Sequence, residues 1–176
     1  MNRANSSNWD HAASDGRLLP AGLAVFIAFA TCLSLIGCAS KPTPELPPTP
    51  TSIKGAIVAS SNVNPDRNGR ASPVVLKLFE LRSLAQFQGA DFFSLFEKEK
   101  EALGAELVAR EDYTLMPGAR TELVRQVHPE TRHVGVIVAF RDLERSSWRA
   151  SLPVAVNQVT PFVVLLEGTK VLMVVP

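Results

Sequence analysis

From residue 52 onward, apolar and polar positions alternate with a period near two, and turn-forming residues interrupt the pattern at short intervals. Successive side chains of a strand point to opposite faces, so this period predicts half-buried strands rather than helices. Eight stretches carry it: residues 53–61, 74–81, 106–116, 120–127, 133–140, 148–152, 162–166 and 170–174. Within 106–116, Leu107, Ala109, Tyr113 and Leu115 fall on one face. The run 133–140 is almost continuously apolar, as a central strand would be, and Trp148, Ala150 and Leu152 alternate with polar partners. Met116-Pro117-Gly118-Ala119 places proline and glycine where a type II turn wants them, and 120–127 then returns. His128 and His133 read as the two ends of a hairpin connection, and Glu167-Gly168-Thr169 as a compact hairpin link. Eight strands with short links predict an all-β sandwich of two antiparallel sheets, about four strands each.

One interruption between the second and third strands reads as helical. Ser83-x-x-Gln86 has the form of a capping box opening a short helix. Asp91 can cap a second helix running to about Leu103, in which Phe92, Phe96, Lys100 and Leu103 share a face. The aromatic cluster of Phe87, Phe92, Phe93 and Phe96 has two readings, a hydrophobic ligand pocket or a packing face laid over a sheet edge; helical spacing favours the second.

The first 51 residues have a different character. Residues 18–40 carry no charge and close on Leu35-Ile36-Gly37-Cys38. That tetrapeptide resembles the lipobox of bacterial lipoprotein signal peptides, which implies diacylglyceryl transfer to the Cys38 sulfur and cleavage just before it. A transmembrane anchor is a second reading, since 23 uncharged residues can span a bilayer. A plain secretory signal is a third, because Gly37 and Ala39 are small. Only Lys41 and then prolines follow, so no basic cluster would halt translocation. Ahead of the apolar run, Asp10 and Asp15 cancel Arg3 and Arg17, an unusual start for any leader. Residues 39–51 hold five prolines, which makes a semi-rigid extended tether reaching about 40 Å at ~3.1 Å per residue. Such a tether is a spacer or, less in keeping with its neighbour, a ligand for a groove-type recognition domain. Ala39 stands where an inner-membrane retention aspartate would be, which points to the outer membrane. The expected layout is a signal peptide over 1–37, a lipidated cysteine and tether over 38–51, and a sandwich domain over 52–176. Cys32 leaves with the leader, so the mature chain holds one cysteine and no internal disulfide.

Removing the leader takes away two basic and two acidic side chains, and the net charge stays at +1. Near-neutrality argues against a nucleic-acid binder, which needs a basic stripe. The most unusual connection is 62–73, twelve residues where a hairpin needs two to five. Asn62, Asn64, Pro65, Asp66, Gly69 and their neighbours favour side chain-to-backbone turns, so a defined loop exposing Asp66, Arg67 and Arg70 is expected. A long ordered loop on a rigid sandwich is where binding concentrates, and as a surface loop it should contribute little to the core. An inert solvated loop is the alternative. Calcium is excluded, because Asp66 is the loop's one carboxylate.

Several segments, in order, resemble one family. They are Asn64-Pro65-Asp66 through Gly69-Arg70, Ser72-Pro73-Val74-Val75, Ala90-Asp91-Phe92-Phe93 with Leu95, and Leu115-Met116-Pro117-Gly118. Val134 to Asp142 and Trp148-Arg149 complete the set. With the lipobox, this ordered set is similar to the type VI secretion system lipoproteins of the TssJ family. The resemblance implies a transthyretin-like β-sandwich with a small helical addition, lipid-anchored to the outer membrane and facing the periplasm. It implies a partner, the C-terminal periplasmic region of the inner-membrane protein TssM, and TssL through TssM. It also implies a monomer in isolation, with several copies in the assembled envelope complex. The loop residues Asn62, Asn64, Pro65, Asp66, Arg67, Gly69 and Arg70 become the expected contact set.

Two rival functions are weaker. Transthyretin-like sandwiches include a periplasmic hydrolase, so the fold alone leaves catalysis open. After cleavage only His128 and His133 remain, beside a proline turn and at a strand start, and Ser146-Ser147 has no histidine near it in sequence and no nucleophile elbow. Two histidines and a lipidated cysteine cannot close a zinc tetrahedron, so neither enzyme, metal nor cofactor is expected. A carbohydrate- or peptidoglycan-binding lipoprotein would show aromatics on a flat exposed face, whereas Trp148 and Tyr113 alternate as if inward.

Overall fold

The alternating segments do become strands. The computed structural model describes residues 49–176; the expected leader, Cys38 and the tether through Pro48 lie outside the described residues. The strands are β1 (Ser52–Ala59), β2 (Val74–Leu81), β3 (Leu107–Leu115), β4 (Arg120–Gln126), β5 (His133–Val138), β6 (Arg149–Pro153), β7 (Val159–Glu167) and β8 (Lys170–Val174). Three short helices, α1 (Ala85–Gly89), α2 (Phe92–Glu97) and α3 (Glu99–Leu103), lie between β2 and β3. The strands form two four-stranded sheets, ordered β4-β1-β7-β8 and β3-β2-β5-β6.

Between the sheets lies one apolar core, including Ile53 and Ile57 of β1, Leu76 and Leu78 of β2, Val134, Val136 and Val138 of β5, and Phe162 and Val164 of β7. Each side chain of this size taken fully out of water contributes about 1.5–3 kcal/mol. Phe140, just past β5, is also buried in this core, and Trp148 packs against it. A second cluster joins Phe79, Leu81 and Ile137 to Phe87, Phe92, Leu95 and Leu103 of the helices. The aromatic residues therefore mainly form a packing face. It covers the outer face of the central strands β2 and β5 rather than a sheet edge, so these strands are buried on both sides. That double burial explains why 133–140 reads as continuously apolar.

Four expectations need correction. First, β1 and β7 pair in parallel, Ser52 with Val159 through Ala59 with Leu166, so the first sheet is mixed rather than antiparallel. Alternation fixes the face a side chain takes but not the direction of the neighbouring strand. β7 also begins earlier than expected and includes Pro161; β8 pairs with β7 only between Val163 and Glu167, so near Pro161 one side of the strand has no partner to donate to.

Second, the 128–132 turn is not a hairpin connection, because β4 and β5 belong to different sheets; the 116–119 turn likewise carries the chain from β3 in one sheet to β4 in the other. The local geometry at 116–119 is nonetheless as expected: Gly118 has φ of 78° and the Ala119 N–H donates to the Met116 carbonyl at 3.0 Å. Third, Leu107 does not share a face with Tyr113 and Leu115. The pairing of β2 with β3 slips by one residue where Glu80 faces Ala109 and Leu81 faces Leu107, leaving Val108 as the extra residue of a β-bulge. Leu107 is thereby turned toward the helices while Tyr113 and Leu115 stay with the inter-sheet core.

Fourth, the helical segment is divided. The Ser83 hydroxyl accepts from the Ala85 N–H, while the Gln86 N–H goes to the Glu106 carboxylate, so no capping box closes. Asp91 does cap α2, accepting from the Ser94 N–H at 3.0 Å. The chain then breaks at Lys98, and Glu99 rather than Lys100 turns inward. Glu99 is buried because Lys77 at 3.7 Å and Arg110 at 2.8 Å neutralise it.

Candidate partner-binding cleft

The long connection between β1 and β2 crosses from one sheet to the other, which explains why no two-residue link would serve. Its first half belongs to the core. Val63 is fully buried, and Asn64 is 2% exposed. The Asn64 amide donates to the Pro73 carbonyl at 2.7 Å, and its Oδ1 accepts the Arg141 N–H at 2.8 Å. The Asn64 N–H donates to the Gly168 carbonyl at 2.7 Å. Asn64 therefore fastens the loop to the segment after β5 and to the β7–β8 turn. It does so with φ of 51°, a left-handed conformation that asparagine tolerates better than most residues. The expectation that this loop contributes little to the core fails at Val63 and Asn64, and the Asn64 side chain supports the cleft from inside.

The second half is an exposed, self-bonded turn. Asp66 Oδ1 accepts the N–H groups of Asn68 and Arg70, both at 2.9 Å. Its Oδ2 takes the Arg70 guanidinium at 3.1 Å, and the Asp66 N–H returns to the Arg70 carbonyl at 2.8 Å. Donation from the Arg70 backbone, then from the Asn68 backbone and the Arg70 side chain, holds the Asp66 carboxyl below the usual carboxylate range against the opposing effect of desolvation. The exposed ion pair adds little by itself; the backbone bonds set the shape. Gly69 supplies the second left-handed position, with φ of 76°. Asn62 is exposed and accepts from the Ser60 hydroxyl at 2.5 Å.

Three segments meet at this end of the sandwich around a polar cleft of about 880 Å³. Pro65, Asp66, Arg67 and Asn68 line it from the loop, Arg141, Asp142 and Arg145 from the β5–β6 connection, and Thr169 from the β7–β8 turn. Of the loop residues singled out from sequence, Pro65, Asp66 and Arg67 line the cleft, Asn64 lies beneath it, and Arg70 supports the turn through Asp66. Arg141, Asp142 and Arg145 were not among the expected contacts. Their signal was a charged run directly after an apolar strand, in a connection much longer than the β5–β6 pairing requires.

The two histidines of the catalytic alternative line no part of this cleft. His128 is exposed, with Nδ1 3.5 Å from the Glu130 carboxylate, and His133 opens β5 half-buried. Trp148 and Tyr113 pack partly buried against the inter-sheet core, and the Trp148 ring stands edge-on to Phe92 at 5.3 Å. No described helix is long and apolar enough to cross a membrane.

Known proteins share this architecture. The sequence profile of the family described as type VI secretion lipoprotein, VasD, EvfM, TssJ matches residues 51–169. The T6SS lipoprotein TssJ1 from Pseudomonas aeruginosa superposes with a TM-score of 0.70 at 31% identity, over 72% of this chain and 97% of that one. Lip from Serratia marcescens, a membrane-bound component of the type VI secretion system, gives 0.64 at 26% identity over 72% and 99%. A chain in the structure of the T6SS protein TssM C-terminal domain from EAEC shares the fold, with 0.59 at 20% identity over 70% and 98%. Comparison with curated proteins returns no match. The profile spans most of the sandwich, and the TssJ1 likeness covers nearly all of its relative, so this chain belongs to the TssJ family of type VI secretion lipoproteins.

Proposed function

We propose that this lipoprotein is anchored in the outer membrane through lipid on Cys38 and binds the C-terminal periplasmic region of TssM. In this reading, residues 1–37 are removed, 38–51 form the lipidated tether, and the sandwich links the inner-membrane TssM–TssL complex to the outer membrane. The role is structural rather than catalytic, in keeping with the family.

The observation that carries the reading is the anchored loop at the open end of the sandwich. Its base is held by Asn64, and its tip is shaped by the Asp66 bonds before any partner arrives. A loop ordered in advance loses little entropy on binding, which leaves more of the contact energy as affinity. Asn62, Arg67 and Gly69 are exposed at its surface.

The test exchanges residues 65–70 for a six-residue Gly-Ser link, with Val63 and Asn64 retained so that the core is untouched. The full chain, purified in detergent, should keep its melting temperature and its membrane attachment but lose binding to the TssM periplasmic region by calorimetric titration. Undiminished binding by the exchanged loop would move the interface elsewhere, with the helical insertion around Phe92 and the 61%-exposed Phe93 as the next place to look.

A further inference from the structure

We infer that the segment received by the cleft is acidic, and that Arg67 and Arg141 are the side chains that read it; this rests on the loop-binding reading above. The argument is an account of charge. Four guanidinium groups belong to the cleft or its supporting turn: Arg67, Arg70, Arg141 and Arg145. Two are matched internally, Arg70 by Asp66 at 3.1 Å and Arg145 by Asp142 at 3.7 Å. Asp66 is fully engaged, with two backbone N–H groups on one oxygen and Arg70 on the other, and cannot also neutralise a neighbour.

Arg67 and Arg141 are left. Both are exposed, both line the cleft, and neither has an ion-pair partner among the described residues. They come from segments far apart in the chain, yet the bond from the Arg141 N–H to Asn64 Oδ1 ties their backbones to one rigid support. Two unmatched guanidinium groups carried on that backbone support, beside Asn68 and Thr169, form a polar receptor with excess positive charge. A guanidinium presents its N–H donors in a planar fork that fits a carboxylate in two places at once. Complementary charge at such a site also speeds encounter and rejects basic partners. Among the arginines, the contacts thus become Arg67 and Arg141, with Arg70 of the expected set occupied by Asp66, and the β5–β6 connection becomes half of the receptor.

The experiment titrates the full chain in detergent with the TssM periplasmic region at low and high salt. Arg67→Ala and Arg141→Ala should each weaken Kd about tenfold, and Arg141→Glu about a hundredfold. Raising salt should weaken the wild type strongly and the double alanine variant much less. Arg120→Ala, at an exposed pair with Glu122 on β4, should change nothing. If the double variant binds within about twofold of wild type while the 65–70 exchange abolishes binding, the acidic-segment inference is wrong and the loop reading stands. If the exchange itself leaves binding intact, the loop reading fails first. Vesicles of anionic lipid supply the same charge from another source. Binding to them that depends on Arg67 and Arg141, with TssM affinity unaffected, would overturn the inference in favour of a membrane surface.

Discussion

The ring of Phe87 fills the space that a side chain at position 135 would need. A Cβ on Gly135 would lie 2.7 Å from Phe87 Cζ and 2.9 Å from Cε1. Helix α1 can therefore seat on β5 only because that strand has a gap in its outer face, while Val134 and Val136 fill its inner one. Gly135→Ala should destabilise the domain by about 1–3 kcal/mol through overpacking. Combining it with Phe87→Leu should cost less than the sum of the two single changes, because they act on one contact. Thermal melts of the four proteins measure this, and strict additivity would mean that the two residues do not touch.

Asn64 offers a second test. Asn64→Ala removes the bonds to the Pro73 carbonyl and the Arg141 N–H, at about 0.5–1.5 kcal/mol for each hydrogen bond lost. It also places alanine at φ of 51°, a further cost of about 1–2 kcal/mol. Asn64→Gly loses the same bonds without that strain. Denaturant titrations should rank wild type above glycine above alanine; alanine equal to glycine would show that the backbone there relaxes.

Glu80 is 1% exposed and closes one end of the sandwich. Its carboxylate takes the Arg125 guanidinium from the opposite sheet, the His128 N–H at 3.0 Å and the Thr131 hydroxyl at 2.8 Å. Glu80→Ala takes this acceptor from the His128 N–H and the Thr131 hydroxyl and leaves Arg125 with Glu111 alone at 3.6 Å, a loss of about 1–3 kcal/mol for each buried group left unpaired. A denaturation midpoint close to wild type would place the carboxylate in water.

The chain holds one tyrosine, so its phenol can be followed by absorbance without interference. Burial first, then the hydrogen bond and charge of Glu111, push the Tyr113 pKa up to about 12, with Arg125 acting the other way. The raised value means that the fold favours the neutral phenol. That contribution is complete below the ordinary tyrosine pKa near 10 and is lost as pH rises from there through about 12. A titration midpoint near 10 in the folded protein would show a solvated ring.

The anchor has its own test. Stable attachment takes more than one acyl chain, each buried methylene adding ~0.8 kcal/mol, and a triacylated Cys38 meets that condition. Cys38→Ser should leave a folded domain that fractionates away from the membrane and incorporates no labelled palmitate. Continued outer-membrane fractionation would rule out lipid on this residue as the anchor.

Strand positions were legible wherever one face meets the core, because burial forces a period of two. Strand neighbours were not, since nothing in the alternation of 52–59 reveals β7, a hundred residues away, as its parallel partner. The bulge at Val108 reversed the side of Leu107, and one extra residue leaves no mark on a periodic pattern that continues on both sides of it. Lys100 and Glu99 are equally polar in sequence, and only the cations of Lys77 and Arg110 decide which is buried. The loop half of the cleft could be read from its turn residues. The Arg141 half left only a charged run after an apolar strand as its mark, and its meeting with Asn64 across 77 positions of chain was not legible.

β1 follows the tether directly and leads directly into the loop, so its two ends face the two attachments of the proposed bridge. Its eight residues span about 26 Å at ~3.3 Å each, bonded to β4 on one side and β7 on the other. A pull between the lipid and a partner in the cleft would run lengthwise along this strand. It would load both ladders in shear, so that their bonds resist together rather than peeling away one after another.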